Sequence, residues 1–264
     1  MLAVFCVKYF QPAWQHQAFW SARFLKDFPE HASKIITAAD TFLPWTEIRR
    51  VYRKLHLLRP LDFEGVDLSK LHITNVAPID AGGGPLVGVI SYGQRQISIH
   101  TPVCEFPFGV PTVDTPWPMR LRAHLIGSPR MDAFYQFLRR FQQTVVEKTA
   151  QHSKTWLGRP CSVQECRELC RPIVRGGKHS DAKLDVSLPR DQAGKIRAKL
   201  FGPEGQEMQW PDFPRHRARG SMIISCTGYV VLSNRNAFGV RWNLERLYLE
   251  GIPETPLLVC YSFE

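Results

Sequence analysis

The strongest restriction on the fold is a change of period. In "MDAFYQFLRRFQQTVVEKTAQHSKTWLG", residues 131–158, the apolar positions Phe134, Phe137, Leu138, Phe141 and Val145 recur at helical spacing. Ser128-Pro129 supplies an N-cap and a first-turn proline, and Gly158 supplies a stop. On both sides the chain instead alternates apolar and polar residues in short runs separated by Gly, Pro and Asp. Before the helix these runs are Leu71–Val76, Leu86–Tyr92, Gln96–Thr101 and Met119–Leu125; after it they are Lys183–Leu188, Lys195–Phe201, Ser221–Leu232 and Gly239–Leu249. Tyr92-Gly93-Gln94-Arg95 is a hairpin signal, and "AGGGP" at 81–85 is a flexible turn. Strands, one substantial helix and strands again predict a mainly β, α+β fold. The architecture expected is an OB-fold-like closed barrel whose halves the helix connects.

Residues 1–60 have a different texture, helical and irregular, ending in the basic run Arg49-Arg50-Val51-Tyr52-Arg53-Lys54. They are expected to be an N-terminal extension to a barrel domain spanning 61–264. With 264 residues, 44% of them hydrophobic, the chain can bury a sizeable core. Its formal net charge of +10 favours polyanionic partners, although acidic residues are too interspersed for a polycationic tail.

Three stretches bring cations and aromatics together. In "GKIRAKLF", Lys195, Arg197 and Lys199 alternate with Ile196, Ala198 and Leu200, so the cations are expected on one face of a strand. In "PRHRARG", Arg215, Arg217 and Arg219 precede the last strands. Those strands form a hairpin around Ser233-Asn234-Arg235-Asn236 that carries Tyr229, Phe238, Arg241 and Trp242. Cations beside aromatic rings are what sequence-independent binding of a single strand needs, since bases stack on rings and cations offset the backbone. Alternation puts Trp242 with Val240 and Leu244, opposite Arg241, which leaves core and stacking surface both open; the expectation is a stacking surface. In "ISIHTPVCEFPFGV", a strand ending at Thr101 runs into a proline-stiffened loop carrying Phe106 and Phe108, one expected as a barrel plug and the other as a stacking ring.

Other chemistries find little support. Seven cysteines, an odd and scattered set, argue for a reducing compartment rather than a disulfide framework. Cys161, Cys166 and Cys170 fall close together without a CxxC pair, and buried thiols fit them better than zinc. No His-x-Glu with paired cysteines and no nucleophile elbow is present, and Asp185, Glu204 and Glu207 lack metal-ligand spacing. No apolar run reaches the ~18 residues of a membrane helix. The N-terminus is acid-poor before Asp27, as in a transit segment, but its many aromatics are foreign to one.

Taken in order, "ISIHTPVCEFPFGV", the helix followed by "TWLG", "RPIVR", "DVSLP", "GKIRAKLFGPEGQEM" and "NAFGVRWNLERLYLE" resemble a family of single-stranded DNA-binding proteins of nucleocytoplasmic large DNA viruses and some algal relatives. That family is similar to the phage single-stranded DNA-binding proteins built on an OB-fold. The resemblance covers residues 61 to 250 and implies largely sequence-independent single-stranded DNA binding in replication and recombination, with no catalysis, cofactor or metal. The expected location is the nucleus or a cytoplasmic viral replication factory, with organelle import left open. The expected partner is single-stranded DNA, with replication proteins and a homodimer as open additions and no membrane. Phage relatives end in an acidic tail with a terminal aromatic; this sequence ends "LLVCYSFE", which leaves that partner contact without its acid. Two other functions remain: a structural or regulatory DNA-associated protein of a virion or replication factory, and a nucleic-acid-processing enzyme with an unrecognised site.

Overall fold

In the computed structural model the chain divides into two compact units, Met1–Arg59 and Pro60–Glu264. The structure describes residues 60–79, 84–93, 95–108, 119–125, 127–176, 182–214, 216–232 and 234–251, together with Ser21, Ala22, Leu25, Pro44, Glu47 and Ile48 of the first unit. The basic run at 49–54, Gln94, Arg215, Ser233 and the terminal "LLVCYSFE" lie outside the described residues.

The second unit contains β1 (Leu71–Pro78), β2 (Leu86–Tyr92), β3 (Arg95–Gln96), β4 (Ser98–His100), β5 (Cys104–Phe108) and β6 (Arg120–His124). Three helices follow, α1 (Pro129–Gln151), α2 (Ser153–Trp156) and α3 (Val163–Leu169). The chain then returns to strands: β7 (Val174–Arg175), β8 (Lys183–Ser187), β9 (Lys199–Phe201), β10 (Glu207–Met208), β11 (His216–Val231) and β12 (Phe238–Gly251). Five of these close a ring in the order β11-β5-β6-β8-β12 and back to β11. All neighbours in the ring are antiparallel except β8 and β12, which meet in parallel at Ser187↔Asn243. The described part of the second unit is therefore mainly β with one substantial helix, an OB-fold-like closed barrel.

The long strand β11 organises the sheet. One edge pairs with β12; the other is covered in turn by β2, β4 and β5. The segment expected as a loop after Thr101 is thus a strand, with Phe106 opposite Ala218 and Phe108 opposite His216. Thr101 explains why Pro102 does not end the pairing. Its N–H donates to the Met222 carbonyl (2.8 Å) and its hydroxyl accepts from the Met222 N–H (3.0 Å), so the chain steps sideways while still attached to β11. Pairing of β5 with β6 is confined to Glu105↔His124 and stops before Pro107, which has no N–H to give to a ladder. A second boundary also moves. Regular strand begins at Lys199 rather than Lys195, because Asp191 Oδ1 accepts from the Lys195 N–H (2.9 Å) and holds a turn there.

Helix α1 starts as expected, with the Ser128 hydroxyl accepting from the Met131 N–H (3.1 Å) and Pro129 in the first turn. Its buried stripe of Phe134, Phe137, Leu138, Phe141, Val145 and Thr149 packs into the barrel core. Ring contacts run from Phe63 to Phe134 (5.2 Å), from Phe137 to Phe141 (6.0 Å), and from Phe141 to Trp242 (5.3 Å). At the other end the Thr149 hydroxyl donates to the Val145 carbonyl and is 3.1 Å from the Tyr229 hydroxyl. Gly158, at φ +78°, ends the helical segment in a conformation that favours glycine.

Two of the three register shifts between β11 and β12 set which side chains face outward. Between β11 and β12, Cys226 pairs with Trp242 and Gly228 with Arg241, leaving Thr227 extra; Ile223 pairs with Arg246 and Ile224 with Leu244, leaving Glu245 extra. Gly220 sits at the tightest part of this pairing, where an added Cβ would fall on the Tyr248 carbonyl oxygen and 3.1 Å from Leu249 Cα. Those are backbone atoms and cannot move aside cheaply. Gly220→Ala should therefore lower stability by about 1–3 kcal/mol, read as a reduced midpoint of urea unfolding; an unchanged midpoint would contradict this packing.

Candidate nucleic-acid interface

The outward face formed by β9, β12, β11 and β4 combines rings and cations in cross-strand rows. Phe201 is opposite Tyr248, which is opposite Ser221; Lys199 is opposite Arg246, which is opposite Ile223, itself opposite His100. The partly exposed rings of Phe201 and Tyr248 stack at 5.0 Å with only 12° between planes, and His100 lies 6.2 Å from Tyr248. Arg246 and Arg219 are exposed, and among the described residues neither has a carboxylate at ion-pair distance. Lys199 is bound to Glu207 at 2.9 Å, but both side chains are more than half exposed. Such a pair contributes little to stability and can be exchanged for a phosphate. His100 accepts from or donates to Ser221 Oγ at 3.0 Å. Burial, assisted by the positive charge of Arg130, holds its pKa below the ordinary value, so the ring is neutral at physiological pH.

The aromatic residues that the sequence points to are placed differently. Tyr229, Phe238 and Trp242 (3% exposed) are core residues, a correction to their expected role as stacking rings, and Phe106 (0% exposed) is the buried ring of the 106/108 pair. Tyr229 packs on Trp156 (5.2 Å) and Phe238 (5.7 Å), Trp242 on Phe141, and Phe106 edge-on to Phe213 at 6.1 Å. No ring face is left for a base. Phe108, at 61% exposed, is the open ring of the pair at 106 and 108. Among the cations, Lys195, Arg197, Lys199, Arg217, Arg219 and Arg241 are all exposed, although only Lys199 of the first three lies in a regular strand. Arg217 adopts φ +50°.

Phe201, Tyr248, His100 and Arg246 are the surface residues that alternation does not single out. A strict period of two counted from Trp242 and Leu244 would send Arg246 and Tyr248 inward. The extra residue Glu245 reverses the phase, so Leu247 and Leu249 enter the core and Arg246 and Tyr248 face out. The apolar identity of Leu247 and Leu249 was the available signal.

On the other side of Arg241 the barrel wall is incomplete. Ser187↔Asn243 is the sole β8–β12 pair, and alongside the start of β12 runs the segment after α3, through the bridge Cys170↔Phe238 and an Arg171 N–H donating to the Phe238 carbonyl (2.7 Å). Here lies a cleft of about 220 Å³ whose lining includes Arg120, Arg171, Arg175, Arg241, Asp185 and Trp242. Asp185 accepts from Arg122 (2.9 Å) and faces Arg175 (3.6 Å). Burial pushes its carboxyl pKa up, but Arg122 foremost, with Arg175 and Arg120, outweighs this and holds it below the usual range.

The clustered thiols behave as core residues. Burial raises Cys166 to about 11 and Cys170 to about 12, and neither offers a ready thiolate. Among the described residues no group of three or more His, Cys, Asp or Glu is arranged to hold a metal ion.

No protein-family model matches the chain, and no characterised protein matches it in sequence. Among solved structures it is similar to gp2.5, a single-stranded DNA-binding protein encoded by bacteriophage T7, with 9% identity and a TM-score of 0.41 over 63% of this chain and 97% of that one. It is also similar to the single-stranded DNA-binding protein from bacteriophage Enc34 in complex with single-stranded DNA, with 12% identity and a TM-score of 0.37 over 68% of this chain and 97% of that one.

The burial of Trp242 against Phe141 has a direct consequence. Trp242→Ala should destabilise the fold by about 3–5 kcal/mol in chemical denaturation. A change within ~0.5 kcal/mol, the range of ordinary surface substitutions, would put the indole back on the surface.

Proposed function

We propose that this protein binds single-stranded DNA without catalysis and with little sequence preference, in the handling of DNA during replication or recombination. The observation that carries the reading is the stacked, partly exposed Phe201–Tyr248 pair flanked by Arg246 and Lys199 on one face of a closed barrel. Adjacent rings at 5.0 Å give successive bases a continuous apolar surface, and the flanking cations lie where a phosphate backbone would pass. The exposed Arg217 and Arg219 continue the positive character along β11, in keeping with a net charge of +10. Because rings and backbone charges are the same for every sequence, such a surface discriminates strand from duplex rather than base from base: paired bases keep their faces stacked on each other.

Titration of fluorescent oligo-dT against a duplex of equal length tests this. The single strand should bind more tightly, with the logarithm of affinity falling by about 0.7 per neutralised phosphate for each unit of log salt. Phe201→Ala and Tyr248→Ala should each weaken binding by about 1–3 kcal/mol while leaving the salt slope unchanged. Arg246→Ala should flatten the slope by roughly 0.7 and weaken all sequences alike. Equal affinity for duplex, or full affinity after loss of both rings, would refute the proposal.

A further inference from the structure

We infer that the arginine-lined cleft between β8 and the start of β12 is a phosphate-binding site, separate from the stacking face. Four arginines, Arg120, Arg171, Arg175 and Arg241, line a space of about 220 Å³ together with one acidic residue, Asp185. That carboxylate is already engaged by Arg122 and Arg175. Arg120, Arg171 and Arg241 have no carboxylate at ion-pair distance among the described residues. Like charges gathered in a concave, partly apolar site repel one another and focus a positive potential, an arrangement that an anion relieves. The planar guanidinium fork matches phosphate geometry bidentately, so the chemistry favours phosphate over a halide or a single carboxylate.

A second observation comes from Trp242, which forms part of the same lining. Its indole Nε1–H is buried without a hydrogen-bond partner. An unpaired buried donor is unfavourable, and an acceptor that reached it from the cleft would satisfy it. The volume is below the ~300–1,000 Å³ of drug-sized ligand sites, which suits a phosphate group better than a whole nucleotide.

Two sources could supply that phosphate: the backbone of a bound strand, or a free phosphate or polyphosphate. Arg241 belongs to the outward row of β12 that also carries Arg246 and Tyr248. At ~3.3 Å per residue it lies roughly 16–23 Å along the strand from them. A single strand lying on the ring pair could therefore continue to the cleft. That the occupant is a strand phosphate rests on the proposed function; the phosphate site itself does not.

The full-length protein should be titrated with pyrophosphate at constant ionic strength, with chloride as control, following tryptophan emission and melting temperature. Pyrophosphate is expected to raise the melting temperature and perturb the emission. Arg171→Ala/Arg241→Ala should abolish both effects while its own melting temperature stays near wild type. Trp242→Phe, which keeps an aromatic ring but removes the N–H, should bind pyrophosphate at least tenfold more weakly. Asp185→Asn should bind it several-fold more tightly, since the competing carboxylate is gone. Unphosphorylated oligo-dT that displaces pyrophosphate identifies the strand backbone as the source; failure to displace it identifies free phosphate. Should oligo-dT not bind at all while pyrophosphate does, the cleft stands and the single-strand reading falls. No response to pyrophosphate, or an equal response in Arg171→Ala/Arg241→Ala, would overturn the inference.

Discussion

Everything displayed on the barrel surface depends on the packing of α1 against the inner side of the β11–β12 hairpin. Phe141 meets Trp242 at 5.3 Å, and Thr149 and Tyr229 share a buried hydroxyl contact at 3.1 Å. Once Trp242, Tyr229, Leu244 and Ile224 are committed to that interior, strand pleating turns their neighbours to the opposite face of the sheet. Arg241 faces out because Trp242 faces in. Burial of large apolar side chains, at about 25 cal/mol per Å², outweighs any preference a surface ring or cation has for one strand position over another.

The bulges convert that constraint into a usable surface. Without the extra residue Glu245, a strand whose inner positions are Trp242 and Leu244 would bury Arg246 and Tyr248 and expose Leu247 and Leu249. Burying an unpaired guanidinium is far more costly than the loss of one ladder position, so the shifted register wins. The Thr227 bulge does the same service on β11, changing the inward series from Met222, Ile224 and Cys226 to Tyr229 and Val231. The two bulges sit at different points of one ribbon, which keeps both ends of a long hairpin in phase with a single core.

Electrostatics divides the exposed cations into two kinds. Arg122 and Arg175 are drawn to Asp185, and Lys199 to Glu207. Arg219, Arg241 and Arg246 point outward with no such partner among the described residues. These three lie along β11 and β12, the strands that also carry or adjoin the exposed ring pair, so charge and stacking surface meet along the path of one hairpin.

The alternating runs, the helical period of 131–158, the Ser128 cap and the Gly158 stop are local properties, and the sequence alone established them. They were enough to define a mainly β barrel with one substantial helix, because each depends only on side chains a few residues apart. The exposure of Lys199, Arg219 and Arg241 was equally legible, since alternation assigns faces within a strand. Whether an aromatic ring is core or surface was not. Tyr229, Phe238 and Trp242 look identical to stacking rings until α1 is set against them, a contact between positions about eighty to one hundred residues apart. The pairing of Phe201 with Tyr248, the phase shift at Glu245 and the cleft beside Ser187 are likewise products of strand register and ring closure. Tertiary structure decided them because a ladder or a bulge exists only between two strands, and neither strand carries its partner's register in its own residues.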